Sequence, residues 1–181
     1  MKKALLALVV LLPFLALTSP TQGSAQGVYI GAGLSIPTGD YGDYHDNGFL
    51  GVGGISFDAP MEGFSIFGEG FWGRNSITDT DGDVTNPYGL MGGLLYDFSE
   101  EDSPGFYAFG QAGLMVHRYS SDEFGDESDS GFGYGGGAGF SCPMEEVSFW
   151  VEGRYMGASI DGETTSFIGL MAGISMSFGG E

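Results

Sequence analysis

Positive charge is what this 181-residue chain has least of. Lys2 and Lys3 are its only lysines, and Arg74, Arg118 and Arg154 complete the basic set, against 24 acidic side chains. Binding nucleic acid requires Lys and Arg to neutralise phosphates, so this balance excludes it. Cysteine is nearly missing as well. Cys142 stands alone, so no internal disulfide can form, and it reads as a small buried apolar residue. No apolar run is long enough for a membrane helix: residues 4–17 fall short of the ~20 that a span needs. The 35 glycines follow no Gly-X-Y period, which removes a collagen-like chain. Disorder is removed by 15 Phe and 9 Tyr set in alternating apolar runs.

What is present begins with a leader. Lys2 and Lys3 precede the apolar run, and a polar stretch ends in the small residues Gly23 and Ala25, which suit a cleavage site. Residues 1–25 therefore read as a secretory signal peptide, and 26–181 as one domain.

The domain is written in period two. In "FIGLMAGISMSF" (167–178), Ile168, Leu170, Ala172, Ile174, Met176 and Phe178 share one face, while Phe167, Gly169, Met171, Gly173, Ser175 and Ser177 share the other. Successive side chains of a β-strand point to opposite faces, so this is a strand. The same reading gives strands at 27–36, 49–57 (with a bulge expected at Gly53-Gly54), 64–74, 88–98, 106–119, 132–142 and 147–158. Longer connections, 37–48, 75–87, 120–131 and 159–166, alternate with the turns 58–63, 99–105 and 143–146.

Charge decides which way the apolar faces look. The strands hold only Glu69, Arg74, Asp97, Arg118, Glu152 and Arg154; every other charged residue of 26–181 lies in a connection or, as Glu181, in the tail. A barrel in water would spread charge along its outer face. One apolar face and one face of Gly, Ser and aromatics suit hydrocarbon outside and a narrow interior. Strands can cross lipid only as a closed barrel, because every backbone polar group must be paired. Each crossing takes roughly 9–11 tilted residues, and eight strands leave an interior just wide enough for side chains. The fold class is thus all-β: an eight-stranded antiparallel up-and-down transmembrane β-barrel.

Parity then picks out candidate residues. Glu69 on the third strand, and Glu152 and Arg154 on the seventh, all point inward, and strands three and seven face each other across a ring of eight. Arg154 is the one inward cation, and its forked guanidinium can hold a carboxylate bidentately. The expectation is a Glu69–Arg154–Glu152 cluster in the lumen, helped by Gln111, with Phe67, Phe71 and Trp150 filling the remaining space. In "TDTDGDVT" (78–85), Asp79, Asp81 and Asp83 could offer oxygens to Ca²⁺, but the spacing is not that of an EF-hand, and weak binding at most is expected. His117 with Ser120, and His45 with Asp43 and Asp46, form no nucleophile–base–acid constellation, so no catalytic residue is assigned.

The signal peptide, eight alternating strands and alternating short and long connections resemble the small eight-stranded outer-membrane barrels of Gram-negative bacteria, of the OmpA, OmpX and opacity type. The chain end "GISMSF", with Gly173, Met176 and Phe178, is similar to the signal read by that family's barrel-assembly machinery, except that Gly179, Gly180 and Glu181 follow the aromatic. The resemblance implies a bacterial outer-membrane location, no cofactor, a monomer, termini in the periplasm and long connections outside the cell. It places Arg74 and Arg118 at the outer rim, where Arg can pair with lipopolysaccharide phosphates, and nominates Tyr29, Trp72, Tyr96, Tyr107 and Tyr119 for aromatic girdles. It implies a structural or surface-interaction role through acidic loops, with a small ion or solute pore as the alternative and a lipid-modifying enzyme after that.

Overall fold

The computed structural model describes residues 26–178, save 81, 100–102, 122–124, 146 and 161–162. The leader expected at 1–25 and the tail at 179–181 lie outside the described residues. Eight strands follow in chain order: β1 (Gln26–Thr38), β2 (Gly48–Asp58), β3 (Phe64–Ser76), β4 (Val84–Asp97), β5 (Gly105–Ser121), β6 (Gly125–Met144), β7 (Val147–Ile160) and β8 (Glu163–Phe178). A five-residue helix, α1 (Asp40–Tyr44), lies between β1 and β2. Each strand pairs antiparallel with its sequence neighbour, and β1 pairs with β8 from Gln26↔Phe178 to Thr38↔Ser166, so the sheet is a closed barrel. The lateral ladder that leaves Tyr29 passes through Gly54, Glu69, Met91, Gly113, Gly133 and Ala158 to Thr165. Tyr29 itself pairs with Ser175, ten residues further on than Thr165. That offset is the shear that tilts the strands and sets the bore.

The apolar exterior is direct. Leu90 is 71% exposed and Ile30 63%, with Leu34, Leu94, Phe149 and Val151 also bare. Inward positions are instead filled by paired large and small residues. A Cβ on Gly31 or Gly173 would strike the Trp150 ring; one on Gly93 would strike Phe67, and one on Gly54 the Tyr29 ring. Glycine on one wall is thus the socket for an aromatic on another, which is how a narrow bore reaches dense packing.

Three local features differ from the sequence reading. No bulge interrupts β2: Gly53 and Gly54 pair in register with Ile30 and Tyr29 on one side and Gly70 and Glu69 on the other. Small residues there make room for Tyr29 instead of kinking the strand. The strands also run further than the apolar pattern: β6 begins at Gly125 instead of 132, and β4 at Val84 instead of 88. Apart from Val84 and Pro87 their added residues are polar or glycine, so hydrogen-bonded pairing continues where hydrophobic alternation stops. Finally, the β3–β4 ladder passes from Trp72↔Tyr88 to Asn75↔Thr85 and skips Pro87, which has no N–H to give.

Candidate functional site

The lumen is organised around Arg154. Glu152 and Arg154, two apart on β7, point to the same side. The guanidinium donates to Glu69 on β3 through Nη1 to Oε1 at 2.5 Å and Nη2 to Oε2 at 3.3 Å. It reaches Glu152 Oε1 through Nε at 2.6 Å and Nη2 at 2.5 Å. Glu69 and Arg154 are each only 3% exposed. Two phenols complete the set: Tyr29 donates to Glu69 Oε2 at 3.1 Å, and Tyr107 to Glu152 Oε2 at 2.9 Å. The guanidinium carbon lies 5.2 Å from the centre of the Phe109 ring, a cation–π contact. Its stem runs over Gly169, where a Cβ would come within 2.9 Å of Arg154 Cγ. Two carboxylates against one guanidinium leave one negative charge, spread over four oxygens that all accept hydrogen bonds.

Gln111 is a correction. It is buried in the lumen, but its Oε1 and Nε2 have no partner among the described residues, and it does not join the cluster. Its ladder neighbours are Gly93 and Gly135, and the next position along is Met156. Phe109, two residues earlier on the same face, takes the place beside the guanidinium. Tyr29 and Tyr107 supply the donors expected of Gln111. They are not girdle residues, and neither is Tyr119, which turns inward to bond Asp83 at 3.1 Å. Trp72 and Tyr96 do lie on the exposed exterior.

On the short-turn side the cluster and Trp150 line a vestibule of about 1120 Å³ with Ser56, Ser65, Ser148, Ser175 and Ser177. On the other side come Leu50, Phe71, Met91, Met115, Met156 and Phe167, all buried; Phe67 is buried too. Above that layer, the long-loop mouth is covered by residues 40–46. Tyr41 stacks on His45 with ring centres 3.9 Å apart and meets His117 edge-on at 5.6 Å. Asn75 donates to the Asp46 carbonyl at 3.0 Å and accepts from Ser35 Oγ at 3.1 Å. This cover is invisible to strand periodicity; its one signal was an aromatic and a histidine four apart in an otherwise polar loop.

The remaining candidates stand apart. Arg118 is exposed on the exterior, 2.5 Å from Asp126, and with Trp72, Asn86, Tyr88 and Ser120 it lines a crevice of about 520 Å³. Arg74 is exposed on the same exterior face of β3 as Trp72. His117 and Ser120 sit on opposite faces of β5, and His117 Nε2 lies 3.3 Å from Met115 Sδ. Asp81 lies outside the described residues; Asp79 has a left-handed backbone, φ 62°. Among the described residues, no group of three His, Cys, Asp or Glu is placed to hold a metal. At the chain end Met176 and Phe178 face outward, and Gly173 lies inward beneath Trp150.

A closed antiparallel barrel with an apolar exterior, buried side chains within its bore and polar loops at one end defines the class of small transmembrane β-barrels. Within that class the assignment is sharper. Residues 6–178 match the model of the outer membrane protein beta-barrel domain, and the chain belongs to that family. It is 33% identical over 137 residues to a 22 kDa outer membrane protein of Rhizobium leguminosarum bv. viciae, covering 74% of this chain and 64% of that one. In fold it is similar to Neisserial surface protein A (TM-score 0.63, 17% identity, 87% of this chain and 100% of the other). It is also similar to Ail, the attachment invasion locus protein of Yersinia pestis (TM-score 0.56, 17% identity, the same coverage). The protein is an outer-membrane β-barrel protein of the bacterial cell surface.

Proposed function

We propose that this protein is a non-conducting, non-enzymatic barrel that works as a surface-interaction platform, presenting acidic loops to the outside. The carrying observation is the Glu69–Arg154–Glu152 cluster, which ties β3 to β7 across the bore and is backed by a buried apolar layer. An ion crossing would have to break charge-assisted bonds and then traverse methionine and phenylalanine side chains. Ail is by its name a protein of attachment and invasion; a role at the cell surface is carried to this chain as part of the proposal. Arg74 and Arg118 serve as rim contacts for lipopolysaccharide phosphates, with Trp72 and Tyr88 against its lipid part. Gly173, Met176 and Phe178 serve as the segment read by the barrel-assembly machinery. The barrel works as a monomer without a cofactor, and the Asp79, Asp81 and Asp83 loop takes Ca²⁺ weakly if at all. Single-channel recording of the purified protein in planar bilayers tests the main reading: silence is expected, and steady unitary currents from the wild type would overturn it. The pore reading draws on one observation, the open vestibule of about 1120 Å³, and such currents would establish it.

A further inference from the structure

We propose that residues 40–46 form an acid-released lid over the long-loop mouth, closed while His45 and His117 are neutral and freed when they take up protons. The inference goes beyond the proposed surface role and does not depend on it.

The lid has a hinge and a latch. Its hinge is Gly39, at φ 61° and ψ −149°, a backbone region open to glycine alone. Its latch is His45, whose Nδ1 lies 3.0 Å from the Tyr41 carbonyl and Nε2 2.8 Å from Thr85 Oγ1. A carbonyl oxygen only accepts, so Nδ1 carries the hydrogen and Nε2 accepts from the Thr85 hydroxyl. In the neutral imidazole the closed lid thus has a donor on one nitrogen and a lone pair on the other. Protonation puts a second hydrogen on Nε2 and turns the Thr85 hydroxyl from donor to acceptor, so that bond survives, but it leaves a cation in a part-buried site beside the buried Tyr41, where water cannot fully solvate it. His117 stands on the same Tyr41 ring from β5. Two imidazoles that share one buried phenol cannot both be charged without repelling each other.

The surroundings do not cancel this. On the lid's own segment Asp46 favours the charged form of His45, and the backbone bond to Tyr41 acts the same way, yet desolvation outweighs both and holds His45 below its ordinary value. Among the described residues of the β3–β4 connection, Asp83 is occupied by the Tyr119 hydroxyl. On β6, Asp129 pairs in the ladder with His117, and Glu127 with Tyr119; both carboxylates lie on the exposed part of that strand. On β8 the neutral Ser166 lies beside the Gly39 hinge and bonds to Thr38. The sign follows. A histidine whose value is lower in the closed state than in the open, solvated state binds protons preferentially when open. Closure is at full strength above about pH 6.5, the solvated value, and weakens as pH falls through the depressed one.

The test is hydrogen exchange of residues 37–48 in the full mature barrel in nanodiscs, corrected for intrinsic rate. Protection is expected to fall about tenfold or more between about pH 7.5 and about pH 5. The double variant His45→Gln, His117→Gln, verified as folded by its heat-dependent gel mobility, is expected to lose that dependence. Equal protection at both pH values, or undiminished pH dependence in the folded double variant, overturns the proposal. Should the double variant not fold, the wild type decides. It holds only two histidines, so their imidazole resonances titrate without overlap. Midpoints for both below about 6.5 uphold the lid, and a midpoint at or above that value for His45 overturns it.

Discussion

Arg154 satisfies two carboxylates on different walls, and this makes it the most sensitive position in the bore. Removing it leaves Glu69 and Glu152 buried, near each other and without a cation. Arg154→Ala should cost about 3–5 kcal/mol, read as a lower urea midpoint for unfolding from lipid vesicles. Arg154→Lys should recover only part of this, because an ammonium cannot form the two parallel bonds that reach Glu69; full recovery would mean that charge alone matters. The glycine sockets make a second prediction. Trp150 lies over Gly31 and Gly173, where even a Cβ has no room. Gly31→Val should therefore abolish folding or cut the yield severely, whereas Gly110→Val should be tolerated, since the site of its Cβ has no neighbour within 4 Å. Comparable folded yields of the two variants would disprove the socket argument.

At the level of the strand, the sequence was most readable where lipid imposes a rule. Hydrocarbon outside and a narrow bore inside force strict alternation, so the parity of Glu69, Glu152 and Arg154 was legible residue by residue, as was the order of strands three and seven around the ring. Legibility ended where water replaced lipid. The outer parts of β4, β5 and β6 are strands held by ladder bonds whose side chains need not alternate in hydropathy, and they read as loop. The partners of the cluster were hidden for another reason. Tyr29 and Tyr107 are apolar enough to pass for interface aromatics, and only the tilt of the ladder shows that their hydroxyls meet Glu69 and Glu152. The lid at 40–46 rests on contacts between distant loops, which no local pattern records. One element-scale prediction concerns β8. Phe178 faces outward opposite Gln26, so Phe178→Asp should lower the amount of assembled barrel in the outer membrane, while deletion of 179–181 should leave it unchanged. Equal amounts of wild type and the Asp variant would remove the assembly role from Phe178.

For the whole molecule, an apolar belt around a closed barrel predicts behaviour visible without a high-resolution method. The protein should need detergent to leave the membrane, and unheated samples should migrate differently from boiled ones in SDS gels, because a closed ladder resists the detergent until heat opens it. A monomer that stays in solution without detergent would contradict the fold. The pairing of β1 with β8 carries a consequence in time. That ladder joins residues at opposite ends of the described chain, and it is also the seam that leaves no strand edge bare. Contacts so far apart in sequence form slowly, and until they form, two rows of backbone donors and acceptors would face a medium that cannot solvate them. Barrel closure and passage into the bilayer must therefore be one event, so a chain that stalls before its final strand is delivered has no stable halfway state in lipid and remains a substrate for proteolysis.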